Sequence, residues 1–148
     1  MEAGKGIAKN IWKEVLEMDY KNLFEKFNEG GKLLLPNATV LFDGIPWTKH
    51  PAFEGVELKH IITSEKTDGQ FSYHLVRIAP NKKIGSHIHE KQLETHEVIS
   101  GMGMCVNDGV ELPYEVGIIS IFPVGVPHEV IAGDEGLFLF AKFMPALC

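Results

Sequence analysis

Short apolar segments separated by turn signals recur along the chain from Val56 onward. Turn-forming residues, chiefly Gly, Pro, Asn and Asp, occur at residues 65–69, 80–81, 107–109 and 133–136. The intervals between them can hold strands but leave no room for the crossover helices that parallel strands require. The spacing therefore predicts a mainly β protein whose core is a small antiparallel barrel.

The composition favours one domain with a small-molecule partner. The chain has 148 residues, of which 45% are hydrophobic, and this is enough for a proper core. Its net charge of −6 argues against nucleic acid or an anionic membrane as the main partner, because both require a basic surface. The longest apolar run, residues 118–126, is too short to span a membrane. The first residues lack the apolar stretch of a secretory signal, so we expect a cytoplasmic protein.

The first 31 residues differ from the rest because their apolar residues repeat at helical spacing. Asp19 is a candidate N-cap for the second of two helices, and Gly30 and Gly31 would end it. We interpret the apolar positions as a helix face that packs on the barrel or on a partner subunit. These positions are Ile11, Trp12, Val15, Leu16, Tyr20, Leu23, Phe24 and Phe27. We therefore expect a helical extension over residues 1–31 and a β-barrel domain over residues 32–148.

Two histidines, His87 and His89, are separated by one residue. In an extended segment alternate side chains share a face, so both imidazoles would point the same way, with Ile88 on the other side. The turn signal at residues 80–81 supports an extended conformation for this segment. Glu94 follows a short polar stretch and could enter the same site from the next strand.

A third histidine, His128, follows the segment 123–127, in which two prolines and Gly125 make a rigid turn. Three imidazoles and one carboxylate suit a transition metal better than calcium. We therefore predict one divalent transition metal per chain, with Fe, Mn, Ni, Zn, Co and Cu all open, held by His87, His89, Glu94 and His128.

These residues lie in two segments that resemble the motifs of the cupin superfamily. HIHEKQLETHEVISG fits H-x-H-x4-E-x6-G, ending at Gly101, and GIISIFPVGVPH fits G-x5-P-x-G-x2-H, from Gly117 to His128. The resemblance covers about residues 56–145, with the motifs inside 81–132. It implies a jelly-roll β-barrel in which His87, His89, Glu94 and His128 hold a metal at the centre.

Two positions depart from the cupin pattern. Asn81 stands where a glycine is usual, and it can adopt the left-handed conformation that such a glycine provides. Ala132 stands where an asparagine is often found, which leaves the role of that asparagine open. Many cupins pair, and the apolar N-terminal positions are surface to bury, so we predict a homodimer.

Three further residues are candidates for catalysis: His96, Tyr73 and Arg77. His96 has the same strand parity as Glu94, so it would face the same way, as a neighbour of the metal site or a proton-transfer group. Successive side chains of the strand 71–78 face opposite sides, so Tyr73 and Arg77 lie on one face and His74 lies on the other. If the first set faces the pocket, Tyr73 and Arg77 could bind a carboxylate. If the second does, His74 would approach the metal.

For other residues with reactive or aromatic side chains, structural roles are the simpler expectation. Cys105 and Cys148 form no C-x-x-C pair, so we expect reduced thiols, with Cys105 lining the barrel. Trp47 and His50 could line a pocket mouth, although a structural role is the simpler expectation.

A divalent metal with three neutral histidines and one carboxylate has a net charge near +1, which favours an anionic or oxygen-rich ligand. We expect a metal-dependent enzyme acting on a small polar or anionic metabolite, either a dioxygenase or an isomerase, lyase or decarboxylase. The alternative is a non-catalytic metal-dependent binding or sensing module. The presence of Glu94 argues against the three-histidine thiol dioxygenases that resemble this fold.

Overall fold

The structure, a computed structural model, describes residues 23–148. Within this range the chain is mainly β, as predicted. The helices are α1 (Leu23–Gly30), α2 (Ser64–Thr67) and a 3-10 turn (Phe42–Gly44). The strands are β1 (Lys32–Leu35), β2 (Ala38–Leu41), β3 (Thr48–Lys49), β4 (Val56–Ile62), β5 (Ser72–Ile78), β6 (Lys83–His87), β7 (Leu93–Asn107), β8 (Val110–Tyr114), β9 (Ile119–Phe122) and β10 (His128–Met144).

The strands β3 to β10 form one antiparallel eight-stranded sheet. Its hydrogen-bonded order is β3-β4-β5-β10-β7-β8, with β6 also paired to β10 and β9 also paired to β7. The order is open, ending at β3 and β8, while β1 and β2 form a separate hairpin. Within residues 23–148 the only helix between consecutive strands of this sheet is the four-residue α2, which joins the antiparallel neighbours β4 and β5, so the antiparallel prediction is confirmed.

The two long strands β7 and β10 bend together at their middle. The turn signal at 133–136 predicted a break between two strands, but β10 continues through it with a register shift between Ala132 and Leu137. Opposite this shift, Gly101 adopts φ +79, and a Cβ there would overlap the carbonyl oxygen of Gly136. Glycine alone adopts this positive φ without strain and has no Cβ to overlap that oxygen. The last glycine of the first motif therefore marks the bend.

Two apolar clusters lie on the two faces of the sheet. The inner cluster fills the interior and includes Val76, Ile78 and the buried thiol Cys105, which confirms the predicted lining role of that cysteine. The outer cluster joins α1 to the sheet through Phe24, whose ring centroid lies 4.3 Å from that of Phe138. The described part of the N-terminal extension therefore packs on the sheet, as predicted.

The second predicted helix ends at Gly30, as expected. The first predicted helix, with Ile11, Trp12, Val15 and Leu16, lies outside the described residues, as do Tyr20 and the proposed cap Asp19. The division into 1–31 and 32–148 therefore stays a prediction. Neither helix within residues 23–148 has the length and apolar character needed to cross a bilayer.

Candidate metal centre

Three strands and one loop bring His87, His89, Glu94 and His128 together. His87 ends β6 and lies opposite His128, the first residue of β10, in the β6–β10 ladder. Glu94 lies at the start of β7. The loop that carries His89 is tied to the turn before His128, because the N–H of Gly125 donates to the carbonyl of His89 at 2.9 Å.

The side-chain atoms of these four residues converge on one point. One donor atom from each lies within 4.8 Å of every other. Oε2 of Glu94 lies 2.9 Å from Nε2 of His128 and 3.1 Å from Nε2 of His89. Nε2 of His87 lies 3.2 Å from Nε2 of His89. The structure thus brings together the whole predicted ligand set.

Backbone carbonyls orient two of the rings. Nδ1 of His87 lies 2.7 Å from the carbonyl oxygen of Gly85, and Nδ1 of His128 lies 3.0 Å from that of Val126. Since a carbonyl only accepts, Nδ1 carries a proton in both rings. In the neutral rings Nε2 is therefore unprotonated, and its lone pair points at the other members of the cluster. Such orientation by a backbone partner is typical of metal-ligating histidines.

The cluster attracts a positive charge. Burial alone would raise the pKa of the Glu94 carboxyl, but the charge of His96 and hydrogen bonds from His128, His89 and His96 hold that pKa well below its usual range. Burial likewise opposes protonation of His128, yet its contact with Glu94 and with the Val126 carbonyl raises its pKa. A positive charge beside Glu94, either a proton on His128 or a metal ion, stabilises the buried carboxylate.

His96 faces the cluster, as its strand parity predicted. Its Nε2 lies 2.8 Å from Oε1 of Glu94, the oxygen that does not face His128. The ionised carboxylate only accepts, so Nε2 of His96 donates to it, and Nδ1 of His96 lies 3.0 Å from the Tyr114 hydroxyl oxygen. Both nitrogens are therefore engaged within the protein, and His96 holds Glu94 in place.

A cavity of about 490 Å³ adjoins the cluster and includes His87, His89 and Glu94 in its wall. This volume is in the range of small-molecule sites. The remaining wall is mostly apolar, and its apolar residues include Phe53, Val56, Leu58, Val76, Ile84 and Leu139. Residues 48–53 form one side of it, so His50 lines the cavity, as the sequence allowed.

Comparison with known proteins gives a family match for part of the chain and similar folds among solved structures. Residues 74–141, which contain all four clustered side chains, match the family model described as Cupin domain. A predicted oxalate decarboxylase from Thermotoga maritima has a similar structure, with a TM-score of 0.64, and the match covers 70% of this chain and 95% of that one at 20% identity. Residues 74–141 therefore form a domain of the cupin superfamily.

Other solved cupins share the fold at similarly low sequence identity. An RmlC-like cupin from Shewanella frigidimarina matches with a TM-score of 0.63 and 16% identity, over 73% of this chain and 90% of that one. A cupin-superfamily sugar phosphate isomerase from Silicibacter pomeroyi matches with a TM-score of 0.58 and 23% identity, over 69% and 72% of the two chains. A comparison with curated protein sequences found no match. At these identities the likeness concerns the fold alone.

In strand β5 the alternate side chains that include His74 face the interior of the sheet. Ser72 and His74 are fully buried, and Val76 belongs to the inner cluster. Tyr73 lies on the opposite face of the sheet, stacked on Phe140 at 4.9 Å between ring centroids.

Arg77 also lies on that outer face. Its guanidinium lies 4.1 Å from the ring centroid of Trp47 and makes a 3.2 Å ion pair with Glu57. The structure therefore does not bring Tyr73 or Arg77 to the cavity, and Trp47 belongs to the outer cluster rather than to a pocket mouth. Strand alternation is the reason, because Tyr73 and Arg77 have the parity opposite to that of the inward-facing Val76.

Sequence reasoning missed Tyr114. It ends β8 and lies opposite Gly103, yet its hydroxyl reaches His96 in another part of β7. Nothing in the spacing of Tyr114 signals this contact, because the bend of β7 creates it. The left-handed conformation predicted for Asn81, in contrast, is confirmed at φ +61.

Proposed function

We propose that this cupin binds one divalent transition metal through His87, His89, Glu94 and His128, and that it acts on a small molecule held in the adjoining cavity. The convergence of four donor atoms, one from each residue and all within 4.8 Å of one another, carries the proposal. Three imidazoles and one carboxylate are a donor set that transition metals accept, and two of the rings are already oriented by backbone carbonyls. The residues thus fit the metal that the cupin resemblance implies.

A divalent ion bound there would supply Lewis acidity or a site for dioxygen activation. The chain itself contributes position and environment. Glu94 neutralises one charge, which leaves a net positive site that favours a carboxylate or another oxygen-rich group. His96 keeps the Glu94 carboxylate in one orientation through the contact to Oε1.

The cavity wall narrows the class of ligand that we propose. Most of the wall away from the cluster is apolar, and the polar residues there are Thr48, Lys49, His50 and His60. We therefore propose a ligand with one polar or anionic end, directed to the cluster, and an apolar body that fills the rest. Apolar walls also exclude water from the reacting end, which strengthens electrostatic interactions there.

Two reaction classes remain within this proposal: a dioxygenase, and an isomerase, lyase or decarboxylase. Oxygen uptake by the iron-loaded protein, compared with product formation in anaerobic buffer, separates them. The second candidate function is a non-catalytic binding or sensing module, and the contacts of His96 favour it. His96 borders the cavity, and both of its ring nitrogens are engaged with Glu94 and Tyr114, so in this second candidate we assign it a positioning role instead of proton transfer.

The metal assignment is tested with untagged protein in a Cys148→Ser background, so that this exposed thiol contributes no binding. We expect about one metal per chain by elemental analysis, and its loss when His87 and His128 are both changed to alanine. His50→Gln is the matched control, because it removes an imidazole from the same cavity but outside the cluster, and it should keep the metal. Metal retained by the double alanine variant would overturn the assignment.

The ligand class is tested with a series of linear carboxylates of increasing chain length. In the metal-loaded protein each added methylene should strengthen binding up to about fourfold until the cavity is full, since burial of one methylene is worth about 0.8 kcal/mol. Removal of the metal should weaken every member of the series. Affinity that is independent of chain length, or unchanged without metal, would contradict this substrate class.

We also propose a homodimer. On β9 the side chains of Ile119 and Ile121 are 73% and 55% exposed, while the alternate residues Ser120 and Phe122 face inward. We propose that a partner subunit covers these two side chains, since exposed apolar surface can serve as an association site. Light scattering should give twice the chain mass, and Ile119→Lys should shift it to the monomer. A cytoplasmic location stays a prediction from the sequence.

A further inference from the structure

A second cluster of metal-binding side chains lies apart from the four central residues. His60 on β4 and His74 on β5 face each other in the ladder between these strands, and their Nδ1 atoms lie 2.8 Å apart. Sγ of Cys148 lies 3.6 Å from Nδ1 of His60. One donor atom from each of the three residues lies within 4.8 Å of the others.

The close approach of the two rings constrains their protons. Nε2 of His74 lies 2.8 Å from Oγ of Ser72, which also accepts the N–H of Leu147 at 2.8 Å. A hydroxyl oxygen can accept twice, so Nε2 of His74 can donate to it and leave Nδ1 unprotonated. The lone pair of that Nδ1 then points at His60.

The backbone places Cys148 beside these rings without help from its thiol. The N–H of Ala146 donates to the carbonyl of Gly69 at 3.0 Å, and the N–H of Ser64 donates to the carbonyl of Cys148 at 2.7 Å. Together with the bond from Leu147 to Ser72, these contacts anchor residues 146–148 against β5 and α2. The thiol therefore reaches His60 from a segment that is already held.

We propose that His60, His74 and Cys148 form a second metal site that takes a thiophilic divalent cation of the zinc type and fastens residues 146–148 to β4 and β5. Tetrahedral zinc, with bonds of about 2.0–2.1 Å to nitrogen and 2.3 Å to sulfur, separates its ligand atoms by roughly 3.3–3.6 Å. The sulfur–nitrogen distance of 3.6 Å already matches, and the nitrogen pair must open by roughly 0.5 Å from its 2.8 Å. The soft thiolate makes this donor set different in kind from the central one.

A thiol–imidazole pair could instead serve as a nucleophile, but the local environment opposes it. Burial raises the pKa of the Cys148 thiol, whereas an activated cysteine has a lowered pKa. A metal ion deprotonates a coordinating thiol outright, so the metal site does not require an activated cysteine.

The second site is structurally linked to the cavity. His60 and Leu147 both line the cavity wall. Phe143 lies between the two clusters, because its ring packs edge to face against His74 at 5.6 Å and against His89 at 5.2 Å. A cation at the second site would therefore stiffen one wall of the cavity without contributing a ligand to the central cluster.

Cobalt(II) titration of the untagged, chelator-treated protein tests the second site independently of the central one. Thiolate coordination gives a sulfur-to-cobalt charge-transfer band in the near ultraviolet, and the central nitrogen and oxygen donors give none. We expect this band in the wild type and in the variant with His87 and His128 changed to alanine. Cys148→Ser should abolish it, and Cys105→Ala should keep it. No band in the wild type at saturating cobalt, or a band that survives Cys148→Ser, would overturn the proposal.

A second measurement tests the role of His60 in the second site. Zinc should slow alkylation of the Cys148 thiol at least tenfold in the wild type, because the bound thiolate is masked. His60→Gln, at a half-buried position that should tolerate it, should remove this protection, whereas His50→Gln should keep it. Equal protection in the His60 and His50 variants would also overturn the assignment. If the central site binds no metal, the charge-transfer band is unaffected, so failure of the proposed function and failure of this inference are distinguishable.

Discussion

Oε1 of Glu94 lies 2.8 Å from Nε2 of His96, while Oε2 of the same carboxylate lies 2.9 Å from Nε2 of His128. The two oxygens therefore have separate partners. One is held by a histidine that is 1% exposed, and the other faces the proposed metal ligands. We therefore expect the position of the carboxylate at the centre to depend on His96.

Replacement of His96 should weaken metal binding without removing a ligand. Leucine at this position leaves Oε1 of Glu94 without its donor, and we expect the metal dissociation constant to rise about 10–100-fold, as for other residues that orient metal ligands. His96→Gln retains an N–H donor and should restore part of the affinity. Chelator competition measures both constants. Equal losses in the two variants would indicate a packing role instead.

Gly101 should be the most sensitive glycine of the bend. Alanine there combines a positive φ of +79 with overlap between its Cβ and the carbonyl of Gly136, so we expect a loss of about 3 kcal/mol or more in the free energy of unfolding. Gly109 has the same φ, but a Cβ there meets nothing within 4 Å. Gly109→Ala should therefore cost only about 1 kcal/mol. Urea unfolding of the two variants compares them directly, and similar losses would contradict the role of the bend.

The metal-free protein should lose stability as the pH falls from about 6.5 to about 4, partly because of His74. Burial, and then the charge of His60, lower the pKa of His74 to about 4, while the charge of Glu94 opposes this shift. The unfolded chain takes up the proton near 6.5 and the folded chain does not, so acid favours unfolding across this window. The full difference in pKa between the unfolded and folded chain corresponds to roughly 3–3.5 kcal/mol.

Histidine ring resonances in the chelator-treated protein measure that pKa directly. We expect the His74 signals to move only near pH 4. Urea unfolding should show a shallower dependence on pH in His74→Gln than in the wild type between these limits. His74 signals that move near pH 6.5 would contradict the buried environment.

The antiparallel architecture was predictable from the spacing of the turn signals, and the four candidate ligands from the spacing within two segments that resemble cupin motifs. Alternation places His87 and His89 on one side of an extended segment, and the same rule correctly turned His96 toward Glu94. The left-handed Asn81 follows from the conformational tolerance of its side chain. The inner face of β5 was not predictable, since both of its faces carry apolar and polar residues and both are covered in the fold.

By itself the sequence determined which side chains share a face and where turns interrupt the strands, because these properties depend on backbone geometry over a few residues. The tertiary structure alone decided that β10 continues through residues 133–136, that Tyr114 supports His96, and that Cys148 lies beside His60 and His74. These relationships join residues that are distant along the chain. They depend on how the long strands bend and pair, which no local pattern records.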